Sequence, residues 1–131
     1  MARPIRIEYP GAYYHVISRG NERRAIFRGE NDYELFLMTL EDASGRFDVL
    51  VHAYCLMPNH LHLLIQTQDS NLSQFMKRLL GVYTIRFNRR HKRYGHLFQG
   101  RYKAYLVDQD SYFLQLSRYI HLNPVKAKLS G

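Results

Sequence analysis

The stretch Val49-Leu50-Val51-His52-Ala53-Tyr54-Cys55-Leu56-Met57-Pro58-Asn59-His60-Leu61-His62-Leu63-Leu64-Ile65-Gln66 holds two apolar runs separated by a turn pair. Both runs are rich in β-branched and aromatic residues, the composition of strands. Side chains alternate between the faces of a strand, so Leu50, His52, Tyr54 and Leu56 fall on one side of the first run. In the second, Leu61, Leu63 and Ile65 share one face, and His60, His62, Leu64 and Gln66 the other. Two strands this close predict an antiparallel hairpin.

Working outward, Tyr13-Tyr14-His15-Val16-Ile17-Ser18-Arg19 is a further strand, stopped by Gly20-Asn21. Residues 30–44 predict a helix, with Tyr33, Phe36, Leu37 and Leu40 at helical spacing and Gly45 as the stop. After the hairpin, Ser70 or Asn71 caps a second helix whose buried stripe is Leu72, Phe75, Met76, Leu79, Leu80, Tyr83 and Phe87. This helix frays near His91, and Gly95 ends it. Residues 97–107 read as a fourth strand. Asp108 or Asp110 opens a third helix, which must end close to Pro124 because the residue before proline resists helical torsions.

The order β-α-β-β-α-β followed by α predicts an α+β fold of the ferredoxin-like, RRM-like kind. Helices pack on one face of an antiparallel sheet, and the other face is left for a site. With 131 residues the chain is read as one domain spanning 1–131. Apolar residues at 46% and charged residues at 23% exclude a disordered chain. A single cysteine, Cys55, excludes a disulfide framework and a cysteine-ligated zinc finger within one chain. No apolar run approaches the ~18 residues of a membrane span, and residues 1–20 lack a signal-peptide core, so no membrane partner is expected.

The net charge of +8 is concentrated. Between Asp69 and Asp108 there is no acidic residue, while Lys77, Arg78, Arg86, Arg89, Arg90, Lys92, Arg93, Arg101 and Lys103 all fall there. A field gathered this way attracts a polyanion, of which nucleic acid is the commonest. A solvated basic face or a contact with anionic lipid is the plainer account of the same cations. Tyr94 and Tyr102 are candidates to stack on unpaired bases, whereas Tyr83 and Phe87 belong to the apolar stripe.

Two short constellations carry chemistry. In His60-Leu61-His62 both imidazoles project from one strand face while Leu61 anchors the other, a pairing that suits a divalent metal. Among seven histidines such a triplet also arises by chance. In Tyr119-Ile120-His121-Leu122-Asn123-Pro124-Val125, Tyr119 and Asn123 share a helix face, placing a phenol beside a carboxamide. Taken alone, and with eleven tyrosines in the chain, Tyr119 reads rather as a half-buried helix aromatic and Asn123 as a helix stop before Pro124. Tyr112, seven residues earlier, lies on roughly the same face, with Gln115 near it, and competes for the role. His52 lies on the strand next to the imidazole pair and is either a neighbour of the site or a core histidine.

Together these segments resemble the single-tyrosine HUH transposases, comprising insertion-sequence transposases and REP-associated tyrosine transposases. The likeness rests on the run from Tyr54 to Leu64 around His60-Leu61-His62 and on Tyr119 to Val125, and it extends to Phe98-Gln99-Gly100-Arg101-Tyr102-Lys103. It implies a DNA transposase, a single-strand DNA endonuclease-ligase that cleaves and rejoins hairpin-flanked DNA through a 5′-phosphotyrosine intermediate. By the same resemblance Tyr119 is the nucleophile, and His60, His62 and Asn123 hold a divalent metal, Mg²⁺ or Mn²⁺. Asn123 stands where the insertion-sequence branch usually has glutamine. Under this reading Arg86, Arg89, Arg90, Lys92, Arg93, Arg101 and Lys103 are DNA-binding residues. The resemblance further implies a cytoplasmic, prokaryotic setting, and it admits a homodimer. The competing expectation is a non-catalytic RRM-like module or a domesticated binder of DNA hairpins. An RNP-type aromatic motif is absent, which weighs against RNA.

Overall fold

The computed structural model describes residues 8–108 and 127–129. Strand β1 (Tyr13–Arg19) is followed by a short 3₁₀ turn, helix α1 (Glu30–Phe47) and the hairpin of β2 (Val49–Met57) and β3 (His60–Thr67). Helix α2 (Leu72–His91), β4 (Lys103–Val107) and β5 (Ala127–Leu129) complete the described elements. The sheet runs β4-β1-β3-β2-β5, antiparallel throughout, so its first four strands have the ferredoxin-like order. The α+β expectation holds. The helix expected to carry Tyr119, together with Tyr112 and Asn123, lies outside the described residues.

Both helices cover one sheet face. The core joins Tyr14 and Val16 of β1, Leu61, Leu63 and Ile65 of β3, Phe36 and Leu40 of α1, and Phe75, Met76, Leu79, Tyr83 and Phe87 of α2. The stripe read from the sequence is therefore the buried one, with Leu80 packed at its margin. A much smaller cluster of Ala53, Leu64 and Val107, flanked by Tyr13, lies on the opposite, open face. Among the described residues no helix is long and apolar enough to cross a membrane.

Four local expectations need correction. Helix α1 runs through Gly45 to Phe47 and stops where Asp48 turns left-handed, with φ 56°. Asn71 occupies the cap position of α2 without capping it; its side-chain amide donates to the carbonyl of Phe47 at 2.8 Å and ties the end of α1 to the start of α2. The fourth strand begins only at Lys103, because the chain before it is drawn away to bond with β1 and the turn after it. Finally, β2 carries a bulge between Val51 and Ala53, so Val49, Val51, Tyr54 and Leu56 face the helices rather than Leu50, His52, Tyr54 and Leu56. One extra residue shifts the alternation, and composition carries no mark of it. The three-residue β5 is equally silent in the sequence.

Two polar features brace this framework. Asp32, buried in the first turn of α1, accepts from the backbone N–H of Arg28 at 2.8 Å and from His91 Nε2 at 2.8 Å, with Arg90 Nε at 3.4 Å. The carboxylate thereby joins the positive end of α1 to the carbonyl end of α2, as helix dipoles favour. The second is a clasp around the hairpin turn. The amides of Ile26 and Phe27 donate to the carbonyl of Pro58 at 2.7 and 3.2 Å, and that of Gly20 to Asn59 at 2.9 Å. The buried Tyr83 hydroxyl donates to the carbonyl of Ile26, and burial pushes this phenol far above its ordinary range.

Asp32→Asn is expected to lower the unfolding free energy by about 2 kcal/mol, since charged acceptor bonds are lost in a buried setting; a shift in the urea midpoint measures it. At Gly20 an added Cβ meets the carbonyl oxygen of Arg24 at 2.1 Å, a contact with rigid backbone. Gly20→Ala is therefore expected to cost about 2 kcal/mol and to increase amide hydrogen exchange at Ile26 and Phe27. Unchanged exchange there would show that the loop yields without releasing the turn.

Candidate active site on the open sheet face

The pleat of β3 fixes the site. Leu61 is fully buried among the helix-facing residues, so its neighbours His60 and His62 project together from the open face. Their rings lie 5.1 Å apart between centroids at 77°. Each is held through Nδ1. The side-chain oxygen of Asn59 lies 2.9 Å from His60 Nδ1, and because an amide oxygen only accepts, that nitrogen carries the proton. His62 Nδ1 is 3.0 Å from His15 Nε2, and these two rings stack at 5.2 Å.

Holding an imidazole at Nδ1 orients Nε2 for a metal, the usual arrangement around histidine ligands. Ligation also needs the neutral ring. Burial, together with His15, His60 and Arg19, lowers the pKa of His62 to about 4. Burial and then Arg19 lower that of His60, and burial lowers that of His15. The pair thus fits a divalent metal as two neutral nitrogen donors. Among the described residues no group of three or more His, Cys, Asp or Glu side chains is placed to complete a site, and Asn123 lies outside them. Cys55 pairs with His62 across the hairpin but is buried, which raises its thiol pKa and disfavours the thiolate.

His15 escaped the sequence reading. Alternation in β1 puts Tyr13, His15, Ile17 and Arg19 on one face, yet nothing in the sequence says that β1 pairs with β3 in this register. His52, considered as a neighbour, lies toward the far end of the hairpin, where Nε2 contacts the side-chain oxygen of Gln66 at 3.3 Å. It does not join the pair.

The histidines open into a cleft of about 520 Å³ lined by Arg19, Gly20, Arg23, Asn59, His60, His62 and Gln99. Arg19 stands directly across from His60 in the ladder, and its carbonyl accepts from the amide of Gln99 at 2.9 Å. Arg23, with φ 60°, is one of two consecutive left-handed residues after the end of β1. Two guanidinium-bearing residues at the mouth make the cleft suited to a phosphodiester. Neither stood out in the sequence, where the charge excess pointed to later residues. A larger depression on α1, lined by Met38, Glu41, Asp42, Gly45 and Arg46, has no comparable chemistry.

The expected DNA-binding residues divide into two groups. Lys103 is exposed on β4, opposite Ile17, on the same open face as His15, and Arg101 is exposed just before it. The others belong to α2 and its end, in the helix layer. Arg86 donates to the hydroxyl of Thr39 at 2.9 Å, Arg90 pairs with Asp32, and Arg93 donates to Asn88 and to the carbonyl of His96. Arg89 and Lys92 are exposed. Tyr94 is 93% exposed, whereas Tyr102 packs against the core and its hydroxyl reaches Ser73.

Comparison with known proteins gives this arrangement a family. Residues 8–123 match the family model described as "Transposase IS200 like". The fold is similar to that of a REP-associated tyrosine transposase bound to a REP hairpin, with a TM-score of 0.70, 17% identity, and coverage of 96% of this chain and 74% of that one. It is also similar to a candidate transposase from Deinococcus radiodurans R1, with a TM-score of 0.63, 20% identity, and coverage of 92% and 96%. A tRNA(His) guanylyltransferase from Saccharomyces cerevisiae shares the fold at a TM-score of 0.58 and 13% identity, over 92% of this chain and 62% of that one. A search of curated proteins by sequence finds no match. These structural likenesses are of fold, whereas the family match spans most of the sequence: the chain belongs to the IS200-like transposase family.

Proposed function

We propose that this member of a DNA transposase family cuts and rejoins single-stranded DNA next to a hairpin, with Tyr119 as nucleophile. His60, His62 and Asn123 would hold a divalent metal, Mg²⁺ or Mn²⁺. The observation that carries the reading is the pair of neutral imidazoles, each secured at Nδ1, opening into an arginine-bearing cleft. A pure binding module has no use for that pair. The hairpin as partner is suggested by the REP-hairpin complex of the similar fold.

The chain's own groups account for most of the chemistry. Arg19 and Arg23 would seat the scissile phosphodiester and offset its charge. The Tyr119 oxygen attacks phosphorus, the bond from phosphorus to the 3′ oxygen breaks, and the released 3′-hydroxyl keeps a proton equivalent to the one lost by the phenol. The 5′ end remains on tyrosine as a phosphodiester. Its bond energy is conserved, so the 3′-hydroxyl of another strand can reverse the step without ATP. A free phenol, with a pKa near ~10, is a poor nucleophile at neutral pH. When bound, the metal would polarise the phosphate and stabilise charge on its oxygens. His15 and Asn59 keep the two imidazoles in ligating orientation.

Labelled single-stranded hairpin DNA incubated with the protein and Mn²⁺ is expected to give a covalent band on a denaturing gel, abolished by EDTA. Tyr119→Phe should remove the band while retention on DNA persists. Loss of the band in Tyr112→Phe instead would move the nucleophile. A protein that retains the hairpin yet forms no band under any metal would favour the non-catalytic binder. His15→Ala is expected to weaken Mn²⁺ binding about 10–100-fold, the usual effect of removing a ligand's supporting partner; calorimetric titration reads it independently of cleavage.

A further inference from the structure

Beside the histidine cleft lies a second concavity, of about 230 Å³, lined by Arg24, Ala25, Arg28, Arg93 and Leu97. Three of its five lining residues are arginines, and no carboxylate is among them. Arg28 and Arg93 both lie over the ring of Phe87, their guanidinium carbons 5.3 and 5.9 Å from its centroid. The ring's negative faces hold cations in place without neutralising them. Two acids bonded to its arginines or to their backbone do not supply the missing charge. Asp32 is committed to the backbone N–H of Arg28, to His91 and to Arg90. Glu22 meets Arg24 at 3.3 Å, but both side chains are well over half exposed, where such a pair is weak. Gathering like charges around a concavity costs free energy that an anion would recover.

We propose that Arg24, Arg28 and Arg93 form a phosphate-binding subsite for the DNA strand that continues from the histidine cleft. The proposal rests on the DNA-transposase reading and deepens it. Its geometry follows from two short loops shared by both concavities. Arg23 lines the cleft and its neighbour Arg24 the subsite; Gln99 lines the cleft and Leu97 the subsite. A strand crossing these loops keeps a guanidinium within reach on either side. The planar fork of arginine matches phosphate oxygens in pairs. The subsite is also organised beforehand, since Arg93 is secured by Asn88 and by the carbonyl of His96. The Ile26–Phe27 backbone behind Ala25 is clasped to Pro58. Tyr94, 93% exposed and next to Arg93, offers a ring for an unpaired base. That is a reason to prefer a single strand over free phosphate.

The test measures fluorescence anisotropy of a fluorescein-labelled DNA hairpin bearing a single-stranded flank, across a salt series. For the Arg24→Gln/Arg28→Gln variant, Kd is expected to rise about tenfold or more, as loss of charge-assisted bonds implies. The slope of log K against log salt should become shallower by about 0.7 for each phosphate contact removed. Circular dichroism checks the fold. Arg24, 63% exposed, carries the test alone as Arg24→Gln if the double variant does not fold. An unchanged Kd and slope, with the unaltered protein still binding the hairpin, overturns the subsite and leaves the transposase reading standing. Failure of the unaltered protein to bind the hairpin overturns both. Displacement of the hairpin by equimolar GTP assigns the pocket to a mononucleotide and overturns the proposal as well.

Discussion

The carbonyl oxygens of Pro58 and Asn59 are the point on which the rest of the arrangement depends. Three amides from residues 20–27 converge on them, fixing where β2 turns into β3 and hence where His60 emerges. The same loop brings Arg23 to the cleft and Arg24 to its neighbour, while Tyr83 secures it from below through Ile26. Gly20 is small because the backbone of Arg24 passes where a side chain would stand. The geometry of the candidate site and core packing are thus a single problem in this fold, solved at one turn.

The sheet separates two functions by face. Helix-facing residues of β1 and β3 are mostly apolar, with Ser18 and Thr67 buried among them, whereas the opposite row carries His15, His60 and His62. Half-burial on that row lowers the pKa of the imidazoles and so favours their neutral form further into acid than full exposure would. Charge is partitioned as well. Part of the basic excess on α2 is engaged internally: Arg86 with Thr39 and Arg90 with Asp32. A sequence count treats those cations as available for DNA, but the fold draws on these two to hold its two helices together.

The sequence was legible wherever one periodicity extended over many residues. The stripe of α2, the strands β1 and β3 and the shared face of His60 and His62 all follow from it. Reading failed where a single residue altered the geometry. The bulge near His52 reverses one half of β2, and Gly45 sits inside a helix because its neighbours carry the helix past it. It failed again where partners come from distant segments. His15 meets His62 only through strand pairing, and Arg24, Arg28 and Arg93 meet only because a loop folds against the end of α2. The resemblance to tyrosine transposases identified the imidazole pair through its local motif, but no local motif marks the arginines around it.

The two flanks of the sheet have a shared origin. β4 borders β1 on one side and β5 borders β2 on the other, and both come from the last third of the chain. Until residues 103–129 are made, β1 and β2 present bare backbone donors and acceptors along their outer sides, a form of strand that invites pairing with other chains. A chain without these two strands therefore keeps adhesive borders on a sheet whose centre, β1, β3 and β2, is already paired. The short final strand, only three residues long, acts as a seal on the second border, and its loss would be felt first in solubility rather than in chemistry.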